Sequence, residues 1–280
     1  MPRTGKPSRL LIVLPSWVGD AVMAVPALRR IRRNKPGIFI GALARPGIDR
    51  LLEGISDGAR SPGPHDVFDE FHTDRASGVF GPKRVAAALR PRQYDTALLL
   101  TGSFSTALVA RIAGIPTRIG YDRDGRGLLL THKLRAPKID GVWAIVPAVD
   151  YYWHAASALL NAPCGASTHD LEPANEQGDH RLPDGAFMEL GVSDVDERKA
   201  DELLRTAGID GERFAILNPG GNNPAKRWPA DHFAELADWL AREKGVAVLI
   251  NGSPAEAELA AEIAQIAATG PVSLPAIGGT

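Results

Sequence analysis

Short apolar runs alternate with longer segments of helical period from the amino terminus to about Gly120. That order predicts βα units stacked around a parallel sheet, because a strand buried on both faces needs a helix layer over each. Leu10 to Leu14 reads as the first strand, and Val22, Val25, Leu28 and Ile31 then mark one face of a helix that Pro36-Gly37 stops. Pro26 is expected to kink or restart that helix, since it lacks an N–H and crowds the preceding turn. Further strands are expected at Ile38 to Leu43, Val67 to Phe71 and Thr96 to Leu100, with a turn-rich loop at Ser61-Pro62-Gly63-Pro64. Helices are expected at Arg45 to Leu52, Val79 to Leu89 and Ser103 to Ile112. The order favours a doubly wound sheet over a barrel.

The stretch from Asn161 to about Asp184 is rich in Pro, Gly, Asp and Asn and shows no sustained period. We place a linker at 166–190, an N-terminal Rossmann-like domain at 1–165 and a C-terminal one at 191–280. The pattern restarts at Ser193, which with Asp196 resembles a helix N-cap. It continues with strands at Phe214 to Leu217 and Val246 to Ile250 and helices at Pro229 to Glu243 and Pro254 to Ala267, about half a nucleotide-binding domain.

A net charge of -1 argues against a nucleic-acid partner, whose phosphates would have to be met by an excess of Lys and Arg. The single cysteine, Cys164, excludes an intramolecular disulfide and a thiolate metal cluster, and no histidine pair has zinc-site spacing. Arg3, Lys6 and Arg9 ahead of Leu10 to Leu14 resemble a signal peptide, but the apolar run is shorter than the roughly 7 to 15 residues of an export core. No segment approaches the ~18 consecutive apolar residues that span a bilayer, so a soluble or peripheral protein is expected.

In open parallel sheets, ligands sit beyond the carboxyl ends of the strands. After the first strand comes Ser16-Trp17-Val18-Gly19-Asp20, where Gly19 permits close backbone approach and Asp20 stands at a helix start. From its position alone Asp20 is either a helix cap or a general base, and both readings remain open. After Phe214 to Leu217 comes Asn218-Pro219-Gly220-Gly221-Asn222-Asn223-Pro224-Ala225-Lys226-Arg227-Trp228-Pro229. Glycines and asparagines in series can turn backbone N–H groups into one concavity, the following helix adds its positive end, and Lys226 adds a full charge. These groups suit a diphosphate, although such a turn can equally serve only the chain's path. Neither first strand is followed by Gly-x-Gly-x-x-Gly, and there is no Gly-x-x-x-x-Gly-Lys-[Ser/Thr] loop, which disfavours hydride transfer and P-loop chemistry.

The run from Leu11 through Pro15-Ser16-Trp17-Val18-Gly19-Asp20 to Met23, with Pro26-Ala27-Leu28, resembles the opening of bacterial ADP-heptose:lipopolysaccharide heptosyltransferases, glycosyltransferase family nine. Pro219-Gly220, Pro224 to Pro229, His232 to Leu236 and Gly252 to Glu258 are similar to the same family, as are Ile115 to Tyr121 and Leu128 to His132. The resemblance covers nearly the whole chain. It implies an α/β fold of GT-B type, with two Rossmann-like domains facing a cleft, and transfer with inversion without a metal or other cofactor. The first domain would then bind the acceptor and the second the nucleotide sugar.

On this resemblance Asp20 is the base, Gly19 lines its turn and binds the donor, and Lys226 neutralises the departing diphosphate. Gly221 and Asn222 contact the donor and Glu256 holds its ribose. The implied partners are ADP-heptose or a related nucleotide sugar and a lipopolysaccharide core glycolipid, at the cytoplasmic face of the inner membrane. The family's later Asp-Ser-Gly-x-x-His segment would follow Thr280, so the C-terminal domain is expected to be incomplete.

Arg118, Arg123, Arg126 and Lys133, in a turn-rich segment, are candidates for acceptor phosphates or ordinary surface charge. Arg29, Arg30, Arg32, Arg33 and Lys35 form a basic run that suits either a solvated helix end or peripheral contact with anionic lipid. Tyr151, Tyr152 and Trp153 suit packing at the domain boundary or stacking on a sugar. Competing functions are a transferase with another sugar donor, a non-catalytic sugar-nucleotide or glycolipid binder, and, most weakly, a nicotinamide-dependent oxidoreductase.

Overall fold

The alternation of apolar runs becomes two α/β units, Met1–Gly191 and Val192–Thr280. The computed structural model describes residues 9–53, 55, 67–75, 78, 80–136, 138–139, 141–144, 146–161, 169–170, 186–209, 211, 213–221 and 223–275. Ser61 to Pro64, Cys164, Asn222, the centre of the linker at 171–185 and the last residues, 276–280, lie outside the described residues.

In the first unit the chain runs β1 (Arg9–Val13), α1 (Val18–Asn34), β2 (Phe39–Ala44), α2 (Ile48–Leu52), β3 (Glu70–Thr73), α3 (Gly81–Leu89), β4 (Thr96–Leu99) and α4 (Phe104–Ile112). It continues through β5 (Thr117–Tyr121), β6 (His132–Arg135), a short hairpin of β7 (Lys138–Ile139) and β8 (Val142–Trp143), α5 (Ala148–Asn161) and β9 (His169–Asp170). Among the described residues the parallel sheet has the order β3-β2-β1-β4-β5-β6-β9.

Side chains of β1 alternate between two cores, as a period of two demands. Leu10 and Ile12 join the cluster under α1 and α5, while Leu11 and Val13 join the one under α3 and α4. Leu10, Leu11 and Ile12 are fully buried, and each such side chain contributes about 1.5–3 kcal/mol. From Leu10 on the strand is apolar because helices cover both faces.

Three expectations change. Helix α1 continues through Pro26 from Val18 to Asn34, held on either side of the proline by a stripe that includes Ala21, Ala24, Val25, Leu28 and Ile31. The segment from Arg118 to Arg135 is not simply turn-rich: it contains β5 and β6, whose alternating charged residues hid two strands. The basic run is not one solvated face either. Arg32 is buried, 2.6 Å from Asp69 and donating to the Val67 and Ile38 carbonyls, and Arg30 lies 4.3 Å from the Trp153 ring centroid.

In the second unit, α6 (Asp194–Thr206) begins with the expected cap, Ser193 Oγ accepting from the Asp196 N–H. Then come β10 (Phe214–Leu217), α7 (Ala230–Lys244), β11 (Ala247–Ile250), α8 (Ala257–Ile266) and β12 (Val272–Ser273), with parallel order β10-β11-β12 among the described residues. Leu217, Val248 and Ile250 pack under Ala234, Ala237 and Ile263 of α7 and α8. No described helix is long and apolar enough to cross a membrane.

Candidate active site

The strand order of the first unit reverses direction between neighbours β1 and β4. At such a switch point the two crossovers leave on opposite sides and open a crevice at the carboxyl ends of the strands. The chain leaving β1 there turns at Ser16-Trp17 and enters α1, placing Asp20 in its first turn. The N-cap position belongs to Trp17, which makes no side-chain capping bond. Asp20 is therefore not spent as the cap of its own helix. Its Oδ1 instead accepts a hydrogen bond from Tyr152 Oη, 3.2 Å away, on α5.

A carboxylate here also gains from the positive end of α1. Trp17 and Val18 beside it are 64% and 60% exposed, an apolar lip next to a half-buried charge. A Cβ built on Gly19 meets nothing within 4 Å, so packing within the chain does not require glycine there.

The cations expected near the acceptor divide. Arg118 is buried, donating to the Leu129, Ile115 and Pro116 carbonyls. Arg126 is fully buried and donates to the Tyr121 and Thr101 carbonyls. Both shape the loops beyond β4 and β5, so a surface role for them gives way to a structural one. Arg123 stacks over Trp143 at 4.8 Å, and Lys133 sits 3.6 Å from Asp122.

In the second unit the glycine-rich loop follows β10, again at a strand's carboxyl end. Asn223 Oδ1 accepts from the Ala225 N–H, and the loop tightens into a 3-10 turn over Pro224–Lys226. Lys226 is exposed at the end of that turn, shortly before α7. Pro229, at the start of α7, gives it no side-chain cap. The loop thus gathers a primary ammonium and a helix end, one N–H of which, His232, already donates to Asp231 Oδ1 at 3.0 Å. Trp228 stacks on His232, with centroids 5.2 Å apart.

Glu256 organises this loop from the other side. Its Oε2 accepts from the Ser253 N–H at 2.8 Å and the Ser253 hydroxyl at 2.7 Å, in a capping box. These bonds, with Arg227 and the Gly221 N–H adding, hold the carboxyl below its ordinary value. That charge is present above the ordinary value and is lost only as pH falls through the depressed one.

Arg227 in turn donates to the Gly221 carbonyl at 2.8 Å. A Cβ on Gly220 would overlap the Glu256 carboxylate. Gly220→Ala should therefore displace the Glu256 carboxylate and break its two bonds to Ser253. A crystal structure of the variant checks this, and an unchanged Glu256–Ser253 pair would contradict it. Among the described residues no three His, Cys, Asp or Glu side chains are placed to share a metal ion.

Tyr152, expected to pack or to stack on a sugar, and Arg227 take part in contacts that the sequence does not show. Tyr152 is 132 positions from Asp20, and no local spacing announces their contact. Arg227 stood in the motif without a role, and only the fold turns it back onto Gly221.

Two Rossmann-like units, one with a carboxylate at a switch point and one with a cationic glycine-rich loop, define a chain of GT-B type. The model of glycosyltransferase family 9 (heptosyltransferase) matches residues 83–275, and the chain belongs to that family. Lipopolysaccharide heptosyltransferase 2 of Salmonella typhimurium is 28% identical over 261 residues, 91% of this chain and 66% of the relative. The chain thus spans just under two thirds of the length of that curated relative. The structure of Escherichia coli ADP-heptose lipopolysaccharide heptosyltransferase II superposes with a TM-score of 0.68 at 25% identity, covering 95% of this chain and 72% of that one. Escherichia coli heptosyltransferase WaaC with ADP-2-deoxy-2-fluoro heptose shares the fold, with a TM-score of 0.60 at 21% identity, covering 95% and 75%.

Proposed function

We propose that this chain transfers heptose from an ADP-sugar to the inner core of lipopolysaccharide, with inversion and without a metal. The observation that carries this reading is Asp20, a carboxylate at the switch point that is not used to cap its helix. As the acceptor oxygen bonds to the anomeric carbon, Asp20 takes the hydroxyl proton and the bond from that carbon to the diphosphate oxygen breaks. ADP leaves with its developing charge met by Lys226 and the amino end of α7.

Gly221 and Asn222 would contact the donor, and Glu256, which accepts from Ser253, would hold its ribose. Gly19, where a Cβ would meet no other atom of the chain within 4 Å, would let the donor approach the turn before Asp20. Arg123 and Lys133 are the acceptor-side cations we retain, since Arg118 and Arg126 are committed to backbone carbonyls. The reading places the protein at the cytoplasmic face of the inner membrane, where a lipid-linked acceptor would be met.

The test is incubation with ADP-heptose and a core acceptor lacking the heptose. A mass gain of one heptosyl unit on the acceptor supports the reading. Nucleotide binding with no mass gain would make the chain a binder, and preferential consumption of another nucleotide sugar would change the donor.

A further inference from the structure

A carboxylate in the first turn of a helix has a competing use. The backbone N–H groups of that turn lack intrahelical acceptors, and an acidic side chain three residues in can fold back onto them. A base that did so would be stabilised where it is useless. In this fold another group holds the carboxylate, since Tyr152 Oη donates to Asp20 Oδ1 at 3.2 Å.

Tyr152 comes from α5, the helix packed along α1, and is only 6% exposed. A phenol buried to this degree needs a partner for its hydroxyl, and Asp20 is that partner. The ring itself is braced. Tyr152 meets Tyr151 edge-on with centroids 6.1 Å apart, and Tyr151 stacks on Tyr121 at 3.6 Å. Tyr121 Oη donates to the Tyr151 carbonyl at 2.8 Å and lies 2.9 Å from His154 Nδ1. The end of β5 and one turn of α5 thereby fix where the Tyr152 hydroxyl points.

The titratable groups acting on that hydroxyl are Asp20, across from it on α1, and Tyr151, on its own helix. Burial first, and then the Asp20 charge, push the phenol well above its ordinary value. Tyr152 therefore keeps its proton at neutral pH. It can donate to the carboxylate but cannot serve as the base itself.

We propose that Tyr152 is a positioning residue that holds the Asp20 carboxylate off its own helix end, engaging Oδ1 and leaving Oδ2 for the acceptor hydroxyl. The inference rests on the reading of Asp20 as base. It assigns the contact between α1 and α5 a catalytic purpose in addition to packing.

Tyr152→Phe keeps the ring and removes only the hydroxyl. It should lower kcat about tenfold, the worth of one hydrogen bond to a charged group, with KM for donor and acceptor unchanged. The melting temperature should not fall, because the released carboxylate can cap α1. In an Asp20→Asn background the same substitution should produce no further loss of kcat.

Wild-type kcat in Tyr152→Phe, with Asp20→Asn impaired, overturns the positioning role alone. An equal loss in the Asp20→Asn background does the same, as does a lower melting temperature with unchanged kcat per folded molecule. Wild-type kcat in Asp20→Asn, or a wild-type chain without turnover, overturns instead the reading of Asp20 on which the proposal stands.

Discussion

Asp20→Asn is expected to reduce kcat for heptosyl transfer by about 10² to 10⁴-fold, the usual contribution of a positioned general base. ADP affinity should be unchanged, because the groups we propose for the nucleotide, Lys226 and Glu256, lie in the second unit. The substitution is close to isosteric and still offers Tyr152 an acceptor oxygen, so packing of α1 on α5 should survive. Steady-state kinetics paired with calorimetric titration of ADP separates the two effects. A parallel loss of ADP affinity and rate would mean that Asp20 supports the fold or the donor and does not take the proton.

Lys226→Ala should act on both quantities. A phosphate loses a charge-assisted hydrogen bond in the ground state, and the departing diphosphate loses a cation when its charge is greatest. We expect about tenfold weaker ADP binding and a further loss in kcat of about 10² to 10³-fold, comparable to removing one preorganised transition-state donor. Lys226→Arg should recover part of the affinity, since the charge remains while its reach and geometry change. Unchanged ADP affinity in Lys226→Ala would remove the residue from the donor site.

Much of this was legible in the order of residues. The run Leu10 to Leu14 announced a strand buried on both faces, and the restart at Ser193 announced a second unit whose first helix is capped as expected. The strands β5 and β6 were hidden because Thr117-Arg118-Ile119-Gly120-Tyr121 and His132-Lys133-Leu134-Arg135 interleave charged with apolar residues. In β5 the buried Arg118 guanidinium is satisfied by backbone carbonyls that no local pattern reveals, while in β6 only Leu134 is buried. Pro26 does not restart α1, because tertiary packing of the helix outweighs the local cost of a missing hydrogen bond.

The candidate site shows the same division. Asp20 and Lys226 stood out because each follows a strand, and strand ends are where an open sheet binds ligands. Whether Asp20 capped its helix was undecidable from Gly19-Asp20 alone and turned on Trp17 at the cap and Tyr152 across the helix interface. Glu256 stood out only through the resemblance. Its tie to Ser253 and its pressure on Gly220 follow from the way the turn after β11 meets the turn after β10.

With Asp20 as base, transfer is a single displacement in which Asp20 activates the acceptor while the diphosphate leaves. Proton NMR of the glycosidic bond in the first product formed from ADP-heptose tests it most directly. A linkage of anomeric configuration opposite to that of the donor is the predicted result, and a linkage that retains the donor's configuration would contradict the account.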